Sequence, residues 1–496
     1  MNRPLRCALA LCSAALCPAV ASAQARDGAA PRDPLHLLSE PARIVDVVDS
    51  FDEGSAFSFR LTAGFLYQRR SATLERELRV SDPTTGMGQA QFARVGDYVE
   101  NTSTLMVNAE LGLFHDLALT FGLPFVVSNT REIRSLTSPG AMEGNNALAD
   151  GWTQNGTATS LFQVPFRSPD RSGIDQVRLG LAWSILNQQR DRTKPTWTVR
   201  FEWRPPVGDV LRACNASPAA GTAQCPAANS VPNVPAGTVA ATGAANRPVS
   251  AGSPGISRGL HGVYFQTAIA RRFGFVEPYA ALDFLAEFPL RDTTFRYFDT
   301  PYGQLASFPP ITSSLVAGVE LVPWENRETW QRFSVDLRFR GTYRSQGRDY
   351  SPLYDALGSS TSRALATPGC PSNVRNADGT CQPGREVFFD GLTTTGSNVQ
   401  VNGQLALAVQ PVKFLRIDLG VGITWRSPYM LTVTDACNPG ETVPAAHPEW
   451  RGGCVNDSAP DPTHRVVIDQ PGGRFRTNGD TTFDFFANLS FTPRFF

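Results

Sequence analysis

The chain has 496 residues, 45 basic and 45 acidic side chains, no formal net charge and 42% apolar residues. This balance, with a pI near 7.0 and a mean hydropathy of -0.19, argues against nucleic acid as a partner. Beyond the first residues no run of about eighteen apolar residues occurs, so a transmembrane helix is excluded and any membrane crossing must be made of strands.

In chain order, residues 1–23 carry Arg3 and Arg6, an apolar run over 7–17, and the small residues Ala21, Ser22 and Ala23. They read as a secretory signal peptide cleaved before Gln24. Lipid attachment at Cys12 or Cys17 is disfavoured because Leu11 and Leu16 stand where a small residue is needed. Residues 24–55 are expected to form a periplasmic N-terminal segment with one amphipathic patch, IVDVVDSFDE over 44–53. That patch reads either as a small helix or plug against a barrel mouth, or as a flexible leader; its place near a terminus favours the leader.

From residue 56 the pattern alternates with a period of two, most clearly over 332–344. Phe333, Val335, Leu337, Phe339 and Tyr343 share one parity, and Arg332, Asp336, Arg338, Arg340 and Arg344 share the other. Comparable stretches are 57–68, 105–113, 117–127, 177–185, 197–204, 263–269, 276–288, 315–321, 399–409, 415–425 and 481–496. The connections alternate too. Short joins at 115–116, 188–194, 272–274, 323–330 and 410–413 are interleaved with long ones at 71–96, 131–172, 209–257, 291–310, 350–395 and 431–480. A soluble sandwich has no reason to segregate loop length by side, whereas membrane barrels have short periplasmic turns and long outer loops. The fold class is therefore all-β: a transmembrane antiparallel up-and-down β-barrel spanning 56–496, of about twelve strands, with fourteen as the alternative.

The last stretch, TTFDFFANLSFTPRFF, places Phe483, Phe485, Ala487, Leu489 and Phe491 on one face, and the sequence ends on Phe496. It resembles the C-terminal strand of Gram-negative outer-membrane β-barrels of the porin-like class. The resemblance implies an outer-membrane location, outer-membrane lipid around the barrel, and Phe496 as the signal read by the barrel assembly machinery. The outward faces carry no feature that separates a subunit contact from lipid, so the oligomeric state is left open.

Three cysteines leave with the signal peptide; the others stand as Cys214/Cys225, Cys370/Cys381 and Cys437/Cys454, each pair within one long loop. An even count in an exported chain favours disulfides, with local pairing closing the shortest loops. No CxxC spacing or histidine cluster supports metal, and no cofactor is expected. Paired outward aromatics ten residues apart, Phe57 with Tyr67 and Phe333 with Tyr343, predict two interfacial girdles, with Trp183 and Trp197 at the inner and Trp425 and Tyr429 at the outer.

The inward parity supplies the candidate pore-lining residues: Arg60, Glu110, Arg178, Arg200, Glu202, Arg204, Glu277, Asp283, Glu287, Asp336, Arg338, Arg340, Arg344, Arg416, Asp418 and Arg426, with Asp484 beside them. The fifth and ninth strands bear mainly Arg and the seventh bears acids, so a cationic wall facing an anionic one is expected to orient a polar solute. The competing reading is that these charges pair and fill the lumen. Inward glycines at Gly64, Gly112, Gly122, Gly180, Gly318, Gly420 and Gly422 tip the balance towards a narrow channel, open or gated, passing small polar or charged solutes. Two other classes remain. A non-conducting barrel could bind partners through its disulfide-closed loops, where Trp450 and Arg451 are the best anchors, although the loops read more simply as solvated shields. An outer-membrane hydrolase would need a nucleophile near His261, His115, His447 or His464, and no Ser/His/Asp set stands out, so no catalytic residue is assigned.

Overall fold

The computed structural model describes residues 42–48, 50, 58–81, 88–137, 142–154, 157–216, 225–226, 249–250, 253–289, 308–370, 376–378, 380–382, 388–444, 447, 453–454 and 461–492. The signal peptide, Phe57, Trp450, Arg451 and Phe496 lie outside them. Twelve long strands form one antiparallel sheet: β1 (Phe59–Ser81), β2 (Gly88–Phe114), β3 (Leu117–Arg134), β4 (Arg178–Leu186), β5 (Thr196–Arg204), β6 (Leu260–Ala270), β7 (Val276–Pro289), β8 (Thr312–Asn326), β9 (Gln331–Arg344), β10 (Asn398–Val412), β11 (Leu415–Arg426) and β12 (Phe475–Phe491). Each pairs with its sequence neighbours, and β12 returns to β1 with Phe491 opposite Leu61, which closes the barrel and leaves no edge. All twelve strands read from the alternation fall on these elements.

The alternation acts as expected. In β11, Arg416, Asp418, Gly420 and Gly422 turn inward and are buried, while Ile417, Leu419, Val421 and Ile423 turn outward. Phe339 and Ile423 are 64% and 61% exposed, and such a continuous apolar exterior is a lipid-facing one. The chain is an outer-membrane β-barrel. Trp183, Trp197, Tyr343 and Trp425 sit exposed on its outside. Tyr429 does not join them. The strand ends at Arg426, the parity restarts after Ser427 and Pro428, and Tyr429 is buried among the outer connections.

Two expectations about the connections are overturned. Residues 71–96 are largely strand: β1 and β2 run on past the barrel as a ribbon, with Leu78 opposite Gln91 and only 82–87 between the strands. Their alternation was hidden because both faces of the ribbon carry charge. Nor are the outer connections solvated shields. Leu148, Phe162, Phe166, Leu353, Leu357, Leu365, Phe389, Leu431 and Ile468 share one buried cluster with Leu74, Val95, Ile133 and Phe475 of the strands. Three short helices, α1 (Tyr354–Gly358), α2 (Arg363–Ala366) and α3 (Val466–Asp469), present Leu357, Leu365 and Ile468 among these. A bidentate pair, Arg171 to Asp355 at 3.0 and 2.6 Å, is buried beside them. The connections thus form a cap with its own apolar core, and Cys214–Cys225, Cys370–Cys381 and Cys437–Cys454 are bonded within it.

At the short-turn end the described part of the amphipathic patch is no free leader. Ala42 and Val45 are buried against Ala268, Ala270, Tyr279, Ala281 and Val316 on the inner wall, and Ser50 N–H donates to His115 O in the β2–β3 turn at 3.0 Å. Residues 42–48 occupy the lumen as a plug, because each polar residue among them finds a charged partner on the wall.

Candidate functional site

The lumen carries the chemistry. Every strand contributes its inward parity, so the pairing register decides which charges meet. In the rows Arg60–Glu110–Thr120–Gly180–Glu202 and Thr62–Asn108–Gly122–Arg178, each residue stands directly opposite the next across successive strands.

The plug engages the wall by charge. Ala42 N–H donates to Glu277 Oε1 at 2.9 Å, Arg43 pairs with Asp418, and Asp46 lies 2.8 Å from Arg60. From there one chain of alternating charge runs along the wall. Arg60 reaches Glu110 at 3.4 Å, Glu110 reaches Arg200 at 3.7 Å, Arg200 reaches Glu202 at 3.9 Å, and Glu202 reaches Arg204 at 2.8 Å, with Arg204 over the Tyr264 ring. A second chain links Arg43 and Asp418 to Arg416 at 2.8 Å and on to Glu320 at 3.9 Å. A chamber of about 220 Å³ lies between, lined by Arg43, Arg60, Thr62, Asn108, Glu110, Thr120, Phe121, Gly122, Arg178, Arg200 and Glu202.

Nearer the cap a larger chamber of about 490 Å³ is partly open to solvent. Arg70, Tyr98, Glu100, Arg131, Arg258, Glu287, Arg344, Asp349 and Tyr350 line it. Here the charges are matched. Arg131 holds Glu100 at 3.0 Å, Arg258 holds Glu287 and stands 3.4 Å from Asp349, Arg344 holds Asp349, and Arg70 and Arg426 clasp Asp480 at 2.6 and 2.8 Å. Tyr98 and Asn129 donate to the two oxygens of Glu100.

Of the remaining candidates from the sequence, Asp283 meets Arg340 at 3.2 Å, and Asp336 accepts from Arg338 at 2.9 Å and from Tyr279 Oη at 2.5 Å. Asp484 accepts from Gln68 at 2.8 Å. The candidates are therefore brought together on the inner face, but not as two opposed walls. In the closed order β7 lies between β5 and β9, two strands from each, so its acids neutralise neighbours along one wall instead of facing a cationic one. The glycines also differ from expectation. A Cβ at Gly318 would stand 2.3 Å from the Tyr279 ring, and one at Gly420 would stand 2.2 Å from Phe486, so these glycines seat neighbouring rings and leave no vacant pore there.

Sequence reasoning missed Arg43, Asp46, Arg70, Glu100, Arg131, Arg258, Glu320 and Asp480. Glu320 was within reach, sharing the parity of Gly318, as was Arg70, which extends the Arg60 parity along β1. His261 stands on the outward parity, its ring stacked between Trp203 and Phe288 at 5.9 and 5.8 Å. Among the described residues no group of three or more His, Cys, Asp or Glu side chains is placed to hold a metal ion.

No protein-family model and no curated protein sequence matches the chain. Solved structures similar to it include an outer membrane channel from Pseudomonas putida F1, with 11% identity over 90% of this chain and 100% of that one and a TM-score of 0.38. A Pseudomonas aeruginosa FadL homologue matches with 11% identity over 89% and 90% and a TM-score of 0.33. The P. putida toluene transporter TodX matches with 11% identity over 88% and 91% and a TM-score of 0.27.

Proposed function

We propose that this protein is a passive channel for small polar or charged solutes, gated at its inner end by residues 42–48. One observation carries the reading: a segment that belongs to no strand fills the lumen and is held there largely by charge. Ala42, Arg43 and Asp46 each use a polar contact with Glu277, Asp418 or Arg60, contacts that water can replace when the segment leaves. A barrel filled for structural reasons alone would complete its interior from its own strands, as small barrels do. The inner chamber is lined almost wholly by polar and charged groups, whereas the outer one sets its charged pairs beside Leu211, Ile256 and Leu285; the inner lining favours solutes that replace the hydration of arginine and carboxylate groups.

The test is conductance in planar bilayers of the refolded mature protein and of a chain beginning at residue 49 after signal cleavage. The expected result is rare, brief openings in the first and sustained steps in the second. Silence from both, with heat-modifiable migration proving a folded barrel, would favour the non-conducting barrel.

A further inference from the structure

Among the described arginines that line the inner chamber, Arg178 is the exception, since Arg43, Arg60 and Arg200 each have a carboxylate neighbour. The two alternating chains, Asp46–Arg60–Glu110–Arg200–Glu202–Arg204 and Arg43–Asp418–Arg416–Glu320, give every arginine they contain at least one carboxylate neighbour. Arg178 belongs to neither, and among the described residues no acceptor lies within hydrogen-bonding or ion-pair distance of its guanidinium. The fold makes room for it. Gly122 stands directly opposite, and a Cβ there would meet Asn108 Oδ1 at 2.9 Å and the Arg178 stem at 3.3 Å, so the stem lies across the glycine and the head projects into the 220 Å³ chamber. Asn108, opposite Gly122 on the other side, likewise has no side-chain hydrogen bond among the described residues. Four arginines line that chamber against two glutamates.

A partly exposed guanidinium with no carboxylate partner among the described residues leaves its positive charge unneutralised in a confined chamber. A bound anion compensates it. We infer that the inner chamber is a binding site for a small inorganic anion or a compact carboxylate, held by Arg178 and Arg200 with the Asn108 amide as an additional donor. The size agrees: the chamber has room on the order of seven water volumes, enough for such an anion and a few waters. Arg200 suits the second contact because its own carboxylates stand at 3.7 and 3.9 Å, long enough to leave donors free to turn. As the identity of a permeating solute this rests on the channel reading; as a binding site it rests on the chamber alone.

The probe is bromide. Crystals of the mature protein soaked in sodium bromide are expected to show an anomalous peak between the guanidinium groups of Arg178 and Arg200. The peak should vanish in Arg178→Gln and persist in Arg178→Lys. No wild-type peak there, or an undiminished one in Arg178→Gln, overturns the site. The same proteins in bilayers under a KCl gradient separate the two readings. A reversal potential favouring anions, collapsing towards zero in Arg178→Gln, supports both. A bromide peak in a barrel that never conducts, even without its plug, sustains the site and removes the channel; conductance without a peak does the opposite.

Discussion

One buried cluster under the outer connections holds twenty apolar residues, fourteen from the connections and six from β1, β2, β3 and β12, whereas the cluster that receives the plug at the inner end has seven among the described residues, of which the plug supplies Ala42 and Val45. Each large apolar side chain taken fully out of water is worth about 1.5–3 kcal/mol. The cap gathers many such contributions, adds the buried Arg171–Asp355 pair and three disulfides, and is in effect a small folded layer. The plug gathers very few and depends on Glu277, Asp418 and Arg60. Apolar burial of that extent holds one geometry, while a handful of charge-assisted contacts can exchange with water. The cap therefore shapes a vestibule over the partly open outer chamber, and the inner segment is the part built to move.

The largest effect that would break this contrast lies in the cap. Phe475 is fully buried, packs on Phe162 and lies under Arg76. Phe475→Ala is expected to destabilise the cap by about 3–5 kcal/mol. Faster amide exchange over 144–166 and 353–366 should accompany unchanged heat-modifiable migration. Unchanged exchange would show that the loop cluster does not hold the cap together.

A smaller effect is expected at the plug. Asp46→Asn removes the charge that Arg60 holds at 2.8 Å and should cost the seated plug about 1.5–3 kcal/mol, the range of a hydrogen bond to a charged group. That shifts the unseated population roughly 10- to 100-fold. Amide exchange over 42–48 should rise while exchange in the cap stays as it was.

The smallest is a pH dependence confined to the cap. Burial pushes the Asp469 carboxyl up from its ordinary 3.8 to about 8 and that of Asp461 to about 6; Arg465 and Arg348 oppose the rise, and burial lowers neighbouring His464. The folded cap then holds protons that the unfolded chain has released. The contribution of these two carboxyls is fully present below about pH 4 and is lost progressively as pH rises towards about 8, while His464 acts in the opposite sense. Asp469→Asn should flatten the dependence of the cap's thermal transition on pH between 5 and 8. A wild-type transition that strengthens with pH in that window would contradict the assignment.

The barrel wall was legible because a strand's inside and outside are written in alternate residues, and the disulfides because each pair is local. The candidate lumen residues were legible to the same degree: parity places Arg178 or Asp283 inside without any knowledge of neighbours. What parity cannot give is the partner. That Asp283 meets Arg340, or that Arg178 meets no carboxylate among the described residues, depends on register between strands far apart in sequence. The cap core was hidden for a related reason. Leu148, Leu353, Leu431 and Ile468 stand in three different connections rich in Gly, Pro and Asn, and only their meeting makes them a core. Tyr429 was misplaced because a Ser-Pro step reset the alternation, and the plug because a short amphipathic patch looks the same whether or not a wall waits for it.

The most direct test compares the two ends in one experiment: single-channel recordings of the mature wild type, Asp46→Asn and Phe475→Ala under identical conditions. If the inner segment is the gate, Asp46→Asn opens about one to two orders of magnitude more often than wild type, while Phe475→Ala, its plug still seated, stays as quiet as wild type. Frequent openings in Phe475→Ala with none gained in Asp46→Asn would place the gate in the cap and contradict the account.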